Sequence, residues 1–241
     1  MKKFTAFAAS FIIMTSVLTV PSYAQGYGQG TQLDENNCPV GASDFNSAYS
    51  SYGAYALSKD KDTIILTFDQ GYENGYTEKI LDTLKEKNVK AIFFLTGDYA
   101  KKETSLVRRM IDEGHCIGNH GMKHLKMSEI SENEIIEEVQ SLHDFVLEKY
   151  DYEMQYLRPP CGEFSEKSLE TVQNLGYKTI MWSFAYVDWN TDSQPDCSAS
   201  KEKIISSAHG GEIILLHSVS STNCEILADV IDGLRAKGYN L

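Results

Sequence analysis

The chain has no Cys-x-x-Cys pair, no internal repeat, no excess of basic residues and, after residue 24, no apolar run long enough to cross a bilayer. The first absence removes the familiar cysteine spacing of a structural metal site, and the second removes solenoid and array architectures. The third concerns partners. There are 22 Lys and Arg against 34 Asp and Glu, a formal net charge of −12. The first 24 residues hold two lysines and no acid, so without them 20 basic side chains face 34 acidic ones, a net of −14. A chain this acidic is unsuited to hold a nucleic-acid backbone, and the acidity itself reads as a solvated surface that names no partner. The fourth absence leaves residues 1–24 as the one segment with a bearing on membranes.

That segment has Lys2 and Lys3, an apolar run from Phe4 to Val20, then Pro21 and Ser22-Tyr23-Ala24 with small residues at cleavage-type positions. It reads as a secretory signal peptide. A retained anchor is the alternative, because the run approaches the roughly 20 residues a spanning helix needs. Either way the rest of the chain is expected outside the cytoplasm. Five cysteines, Cys38, Cys116, Cys161, Cys197 and Cys224, are an odd number for an exported protein. At least one must then stay free or pair between chains. Cys197 and Cys224 lie in loop-like sequence suited to pairing, and five free thiols in a reducing setting is the other reading.

With 241 residues, 42% of them hydrophobic, the chain has enough apolar surface for one sizeable core and little room for a second. Residues 25–61 begin "QGYGQGT" and continue polar and Ser- and Tyr-rich without a period, which predicts an entry arm. From residue 62 the pattern changes. Short apolar runs ("TIILTF", "AIFFLT", "HCIGN", "YLRPP", "TIMWSF", "EIILLH") alternate with amphipathic stretches expected as helices at 78–87, 104–113, from Ser131, 165–175, about 200–208 and about 223–237. Ser131 and Glu134 have capping-box spacing, and Ile135, Val139, Leu142 and Val146 share one helix face. Strands apolar throughout and alternating with helices indicate an α/β parallel sheet, open and doubly wound or closed as a barrel. Six or seven units favour a (β/α) barrel, distorted or incomplete, since Tyr239 to Leu241 stand where a further strand would begin.

The polar residues fall at strand ends. Asp69 follows "IILTF", His120 follows "CIGN", Arg158 follows "YL", Asp188 and Trp189 follow "TIMWSFAYV", and His217 follows "IILL". In a parallel barrel those carboxyl ends share the face where active sites are built. His120 and His124 have an i, i+4 spacing that brings two imidazoles to one metal ion if the segment turns helically. Asp69 as base, His217 as acid and a metal at the histidines are what hydrolysis of an amide or ester requires. Arg158 is placed to hold Asp69 ionised, and Asp188 to hold the tautomer of His217. Taken singly, each would be a helix-capping polar residue. His115 is expected to pack near a strand start, and His143 and His209 to lie on helix surfaces without a role.

"TFDQG", "HGMKH", "RPPCG", "VDW" and "LLH", in this order over Thr63 to the C-terminus, resemble the five motifs of the NodB-type polysaccharide deacetylases, carbohydrate esterase family 4. "FDQGYENGYT", "WSFAYVDW" and "LLHSVS" are similar to the muramic δ-lactam branch. That branch removes the acetyl group from N-acetylmuramic acid of peptidoglycan, and the lactam that follows marks spore cortex.

The resemblance implies a NodB homology domain over 62–241 with a partial barrel and an open glycan groove. Asp69 is then the base, His217 the acid, Arg158 and Asp188 their partners. His120 and His124 become ligands of a divalent ion such as zinc, and Trp189, Tyr72 and Cys161 line the groove. It further implies peptidoglycan strands as substrate, no protein partner and a monomer.

The chain departs from this pattern twice. Gln70 stands where most of the family has an aspartate as third ligand, which predicts a weaker metal site. Cys161 stands where lactam-forming relatives tend to carry a basic residue suited to the lactyl carboxylate. The competing expectations are deacetylation of N-acetylglucosamine or chitin-type oligomers, and a silent glycan binder.

Overall fold

A computed structural model describes residues 25–241; the expected signal segment, 1–24, lies outside the described residues. In chain order the elements are β1 (Gln25–Gly26), α1 (Val40–Tyr49), β2 (Ala54–Tyr55), β3 (Ile65–Gln70), α2 (Thr77–Glu86), β4 (Ile92–Leu95), α3 (Gly97–Lys102), α4 (Thr104–Asp112) and β5 (Cys116–Asn119). There follow α5 (Glu132–Tyr150), β6 (Tyr156–Leu157), β7 (Glu163–Phe164), α6 (Glu166–Asn174), β8 (Lys178–Ile180), α7 (Cys197–Ser206), β9 (Ile213–His217) and α8 (Ser221–Ala236). The helix starts are set locally. Ser131 caps α5 with Glu134 in a complete capping box, Ser165 caps α6 in the same way with Ser168, and Asp196 and Ser220 cap α7 and α8.

Seven strands form one parallel sheet in the order β2-β8-β6-β5-β4-β3-β9, curled into an incomplete barrel with the helices outside. Side chains of successive strand residues point to opposite faces. In β3, Leu66 and Phe68 pack outward with Ile80, Leu81 and Leu84 of α2, while Thr67 and Asp69 meet Arg158 inside the barrel. The edges of the sheet are joined by irregular chain. After β8 the Met181 amide bonds the Tyr55 carbonyl at 2.8 Å, the Ser183 amide the Ile213 carbonyl at 2.9 Å and the Leu215 amide the Phe184 carbonyl at 2.9 Å. The run "TIMWSF" thus supplies the last two residues of β8, followed by a closing seam. Asn240 pairs in parallel with Thr63, so the last residues join the foot of β3.

The segment 25–61 is no loose arm. It supplies β1, which pairs antiparallel with β7, and β2, an edge strand of the main sheet. Its Phe45, Ala54 and Leu57 share a second core cluster with Phe164, Trp182 and Leu215. No helix of the described residues is long and apolar enough to cross a membrane. The five cysteines are free thiols, so the Cys197 to Cys224 pairing is absent. His209, expected on a helix surface, is buried; its imidazole bonds Ser183 Oγ through Nε2 at 2.8 Å. His115 is buried immediately before β5, as expected, and His143 bonds the Tyr177 hydroxyl.

Candidate active site

Asp69 is the fifth residue of β3, and the parallel register sets it beside Phe94 of β4 and His217 of β9. Arg158, directly after β6, is wholly buried inside the barrel. Its Nη1 donates to Asp69 Oδ1 and to Thr67 Oγ1, each at 2.8 Å, its Nε to the Ile180 carbonyl at 3.0 Å and its Nη2 to the Met181 carbonyl at 2.9 Å. Burial alone pushes the Asp69 carboxyl up, but the Arg158 guanidinium, with smaller help from His120 and His217, outweighs it and holds Asp69 below the ordinary carboxylate range. Asp69 is therefore an ionised base.

His120 follows β5. Its Nδ1 donates to the Arg158 carbonyl at 2.7 Å, which leaves the Nε2 lone pair facing Asp69 Oδ2 at 3.5 Å. Its ring lies edge-to-face with that of His124, centroids 4.8 Å apart. The pairing is not made by a helix. Residues 120–125 form a turn in which His124 has φ +58°, so backbone turning brings the rings together where a helical i, i+4 relation was expected. Burial keeps both imidazoles neutral, His120 down to about 4 and His124 in the same direction.

His217 closes β9. Its Nδ1 donates to Asp188 Oδ1 at 2.7 Å and its backbone amide to Asp188 Oδ2 at 2.8 Å. Asn223, in the first turn of α8, also donates to Asp188 Oδ2, at 2.6 Å. Burial pulls the His217 pKa down, but the Asp188 carboxylate more than compensates and raises it above the ordinary imidazole value. His217 is thus biased toward its protonated form, and it lines the pocket. Asn223 was not predicted for the site; the sequence marks it only as a helix start.

The pocket has a volume of about 700 Å³ and brings together Asp69, His120, His124, Cys161, Trp189 and His217. Tyr72 joins a neighbouring recess that shares Asp69, both histidines, Trp189 and His217. Trp189 and Tyr72 are about half exposed at the rim, and the Trp189 ring stands 5.7 Å from that of His217. Tyr27, Gly28, Gln29 and Trp182 complete one wall. The sequence placed the first three in a featureless leader.

Gln70 lines neither recess. Strand alternation puts it on the face of β3 opposite Asp69, where it is fully buried, its amide nitrogen donates to Ser218 Oγ and its Oε1 has no partner. The expectation of Gln70 as a third ligand is corrected accordingly. Among the described residues no three His, Cys, Asp or Glu side chains converge on one point. What the chain offers a divalent ion is the pair of neutral imidazoles of His120 and His124, with the remaining positions left to water or substrate. Such an open arrangement suits an ion of the catalytic kind and not a closed structural site.

Residues 56–180 match the polysaccharide deacetylase family. The chain is 43% identical to the peptidoglycan-N-acetylmuramic acid deacetylase PdaA of Bacillus subtilis over 83% of this chain and 77% of that protein. It superposes on the structure of Bacillus subtilis PdaA, a family 4 carbohydrate esterase, with a TM-score of 0.86 at 39% identity, covering 92% of this chain and 95% of the other. A peptidoglycan-N-acetylglucosamine deacetylase of Bacillus cereus is 32% identical over 77% of this chain and 65% of that protein. With residues from the ends of β3, β5 and β9 drawn into one pocket, and with these likenesses, the chain belongs to the polysaccharide deacetylases of carbohydrate esterase family 4, hydrolases of amide bonds.

Proposed function

We propose that the protein is exported and removes the acetyl group from N-acetylmuramic acid residues of peptidoglycan, preparing them for δ-lactam closure in spore cortex. The observation that carries the chemistry is the pair of opposed, separately tuned groups across one pocket: Asp69 held ionised by Arg158, and His217 biased toward its protonated form by Asp188. Asp69 takes a proton from the water that attacks the acetamide carbonyl. His217 Nε2–H gives a proton to the departing nitrogen, so the products are acetate and a free amine. A divalent ion such as zinc, held by His120 and His124, would polarise the acetamide carbonyl and acidify the attacking water. Arg158 spends its donors on Asp69, Thr67 and two backbone carbonyls, so its part is to orient and charge the base rather than to hold substrate. The exposed Trp189 and Tyr72 offer apolar faces on which sugar rings can rest.

The muramic assignment is supported by the likeness to Bacillus subtilis PdaA. A specific observation favours a second reading, N-acetylglucosamine as substrate. Among the described residues no Lys or Arg lines the pocket, and Cys161, at the rim, is neutral in the thiol form. Mass spectrometry of digested peptidoglycan after treatment decides between them. Loss of acetyl from muramic residues followed by loss of water is the result expected; acetyl loss confined to glucosamine establishes the second reading. Export is tested by finding the N-terminus of the mature protein at Gln25. We further propose that the enzyme works as a monomer on glycan strands, which sedimentation with and without strands checks.

A further inference from the structure

The wall formed by Tyr27, Gly28 and Gln29 is a part of the pocket to which the acid, the base and the two imidazoles assign no task. β1 lies on β7, and the Tyr27 amide donates to the Gly162 carbonyl at 2.9 Å, so this strap runs along the Cys161–Gly162 turn. Its side chains then converge on one residue. The Tyr27 hydroxyl donates to the Trp182 carbonyl at 2.5 Å, and the Trp182 indole N–H donates to Gln29 Oε1 at 2.9 Å. Gln29 Nε2 also reaches the Ala185 carbonyl at 3.3 Å, on the seam that carries Trp182. The Tyr27 ring stands edge-on to the indole, centroids 5.1 Å apart. The strap is held from behind by α1: a Cβ at Gly41 would come within 2.6 Å of the Gln29 carbonyl, and Phe45 packs on Tyr27 at 4.9 Å.

Trp182 in turn is one of two rings that bracket the Arg158 guanidinium. The Arg158 Cζ lies 4.3 Å from the Phe94 ring centre and 5.7 Å from that of Trp182. The same indole fills the space beside Gly162, where a Cβ would meet it at 2.8 Å. An indole that loses its acceptor must expose or orphan its N–H, and the ring then has reason to swing outward and leave Arg158 bracketed on one side only. We propose that Tyr27 and Gln29 are positioning residues for the hydrolysis. They fix Trp182, and Trp182 keeps the Arg158–Asp69 pair in place and closes the pocket above it.

The kinetic part of the test rests on the deacetylase reading; the spectroscopic part does not. Trp182 and Trp189 are the two tryptophans of the chain, so Trp189→Phe leaves Trp182 as sole reporter. In that background Gln29→Leu and Tyr27→Phe are expected to shift Trp182 emission to longer wavelength and open it to acrylamide quenching. With Trp189 intact, each should lower kcat for acetate release about tenfold, the scale of a misplaced catalytic group, while KM stays within about twofold. Combining Gln29→Leu with Trp182→Phe should add less than about twofold to the loss caused by Trp182→Phe, because both act through one ring. If Trp182→Phe does not fold, the Tyr27→Phe and Gln29→Leu double variant replaces it, with the same less-than-additive result expected. Unchanged emission, a loss confined to KM, or fully additive effects would each overturn the proposal. A wild-type enzyme that releases no acetate from any glycan defeats the deacetylase reading, and the emission measurement then still decides whether Tyr27 and Gln29 fix Trp182.

Discussion

Replacing Asp188 with asparagine changes one carboxylate oxygen to an amide nitrogen and should convert the acid limb of the reaction into its weakest point. Three donors meet this carboxylate: His217 Nδ1–H, the His217 backbone amide and Asn223 Nδ2. An amide cannot satisfy all three. If its oxygen keeps His217 Nδ1–H, its NH₂ faces two donors; if it turns, His217 must accept at Nδ1 and hold its proton on Nε2 in the neutral tautomer. Either arrangement removes the charge that lifts the His217 pKa and leaves burial to depress it. With the raising influence of Asp188 gone, the protonated fraction of His217 falls most at the basic end of the range, so the loss should be larger at pH 7.5 than at pH 5.5. Lost orientation adds a pH-independent factor on the order of a hundredfold, the scale of a general-acid contribution.

The assay is acetate release between pH 5 and 9, with thermal unfolding on the same samples. The basic limb of the bell should move to lower pH. Stability gives a check of sign: a raised histidine pKa contributes stability that is complete below about 6.5 and is lost as pH climbs through the folded value. The variant should therefore lose more stability at pH 6 than at pH 9. A profile parallel to wild type, with only a uniform drop, would refute the coupling of Asp188 to the acid form of His217.

Arg158→Met leaves the Asp69 carboxylate buried without its cation and should cost about 3–5 kcal/mol, or roughly 6–20 °C in Tm at about 2–4 °C per kcal/mol for a domain of this size; a shift under about 2 °C by calorimetry would contradict the buried ion pair. His120→Ala should abolish both acetate release and retention of a divalent ion through gel filtration, with the far-ultraviolet spectrum unchanged; full activity would remove the histidine pair from the chemistry. His115 is depressed to about 4, by burial first and then by Lys90. The unfolded chain takes up that proton near pH 6.5 and the folded one resists, so stability should fall from pH 6.5 to 4 by about 3 kcal/mol. His115→Gln should flatten the unfolding curve in that window, and an unaltered slope would refute the assignment.

The β/α alternation was legible because the buried strands are largely apolar and several helix starts carry their own cap, as with Ser131 and Glu134. The candidate site residues stood out for a related reason: a polar or charged side chain after "IILTF" or "IILL" interrupts a pattern. What failed was information spread over distant segments. Tyr27, Phe45 and Trp182 make one packed cluster, yet each stands alone in a stretch without a period. His209 looked like a surface residue because its partner, Ser183, lies 26 positions away. His120 and His124 meet through a left-handed turn residue that i, i+4 counting does not see. Gln70 is turned away from the pocket and held by Ser218, 148 positions further along, a contact its own neighbourhood in the sequence does not announce.

The seam at Met181 to Leu215 joins the two edges of the sheet with a few backbone hydrogen bonds, and the chain between its halves carries Trp182, Asp188 and Trp189. A closed barrel has no free edge to offer another chain, whereas an opened one presents both β2 and β9. The segment that carries the exposed Trp189 at the pocket rim is thus also the clasp that keeps the sheet from pairing with its neighbours. Bound substrate, by steadying that clasp, should protect the enzyme from aggregation as well as from unfolding, and amino-acid changes that loosen the groove will be paid in solubility before they are noticed in turnover.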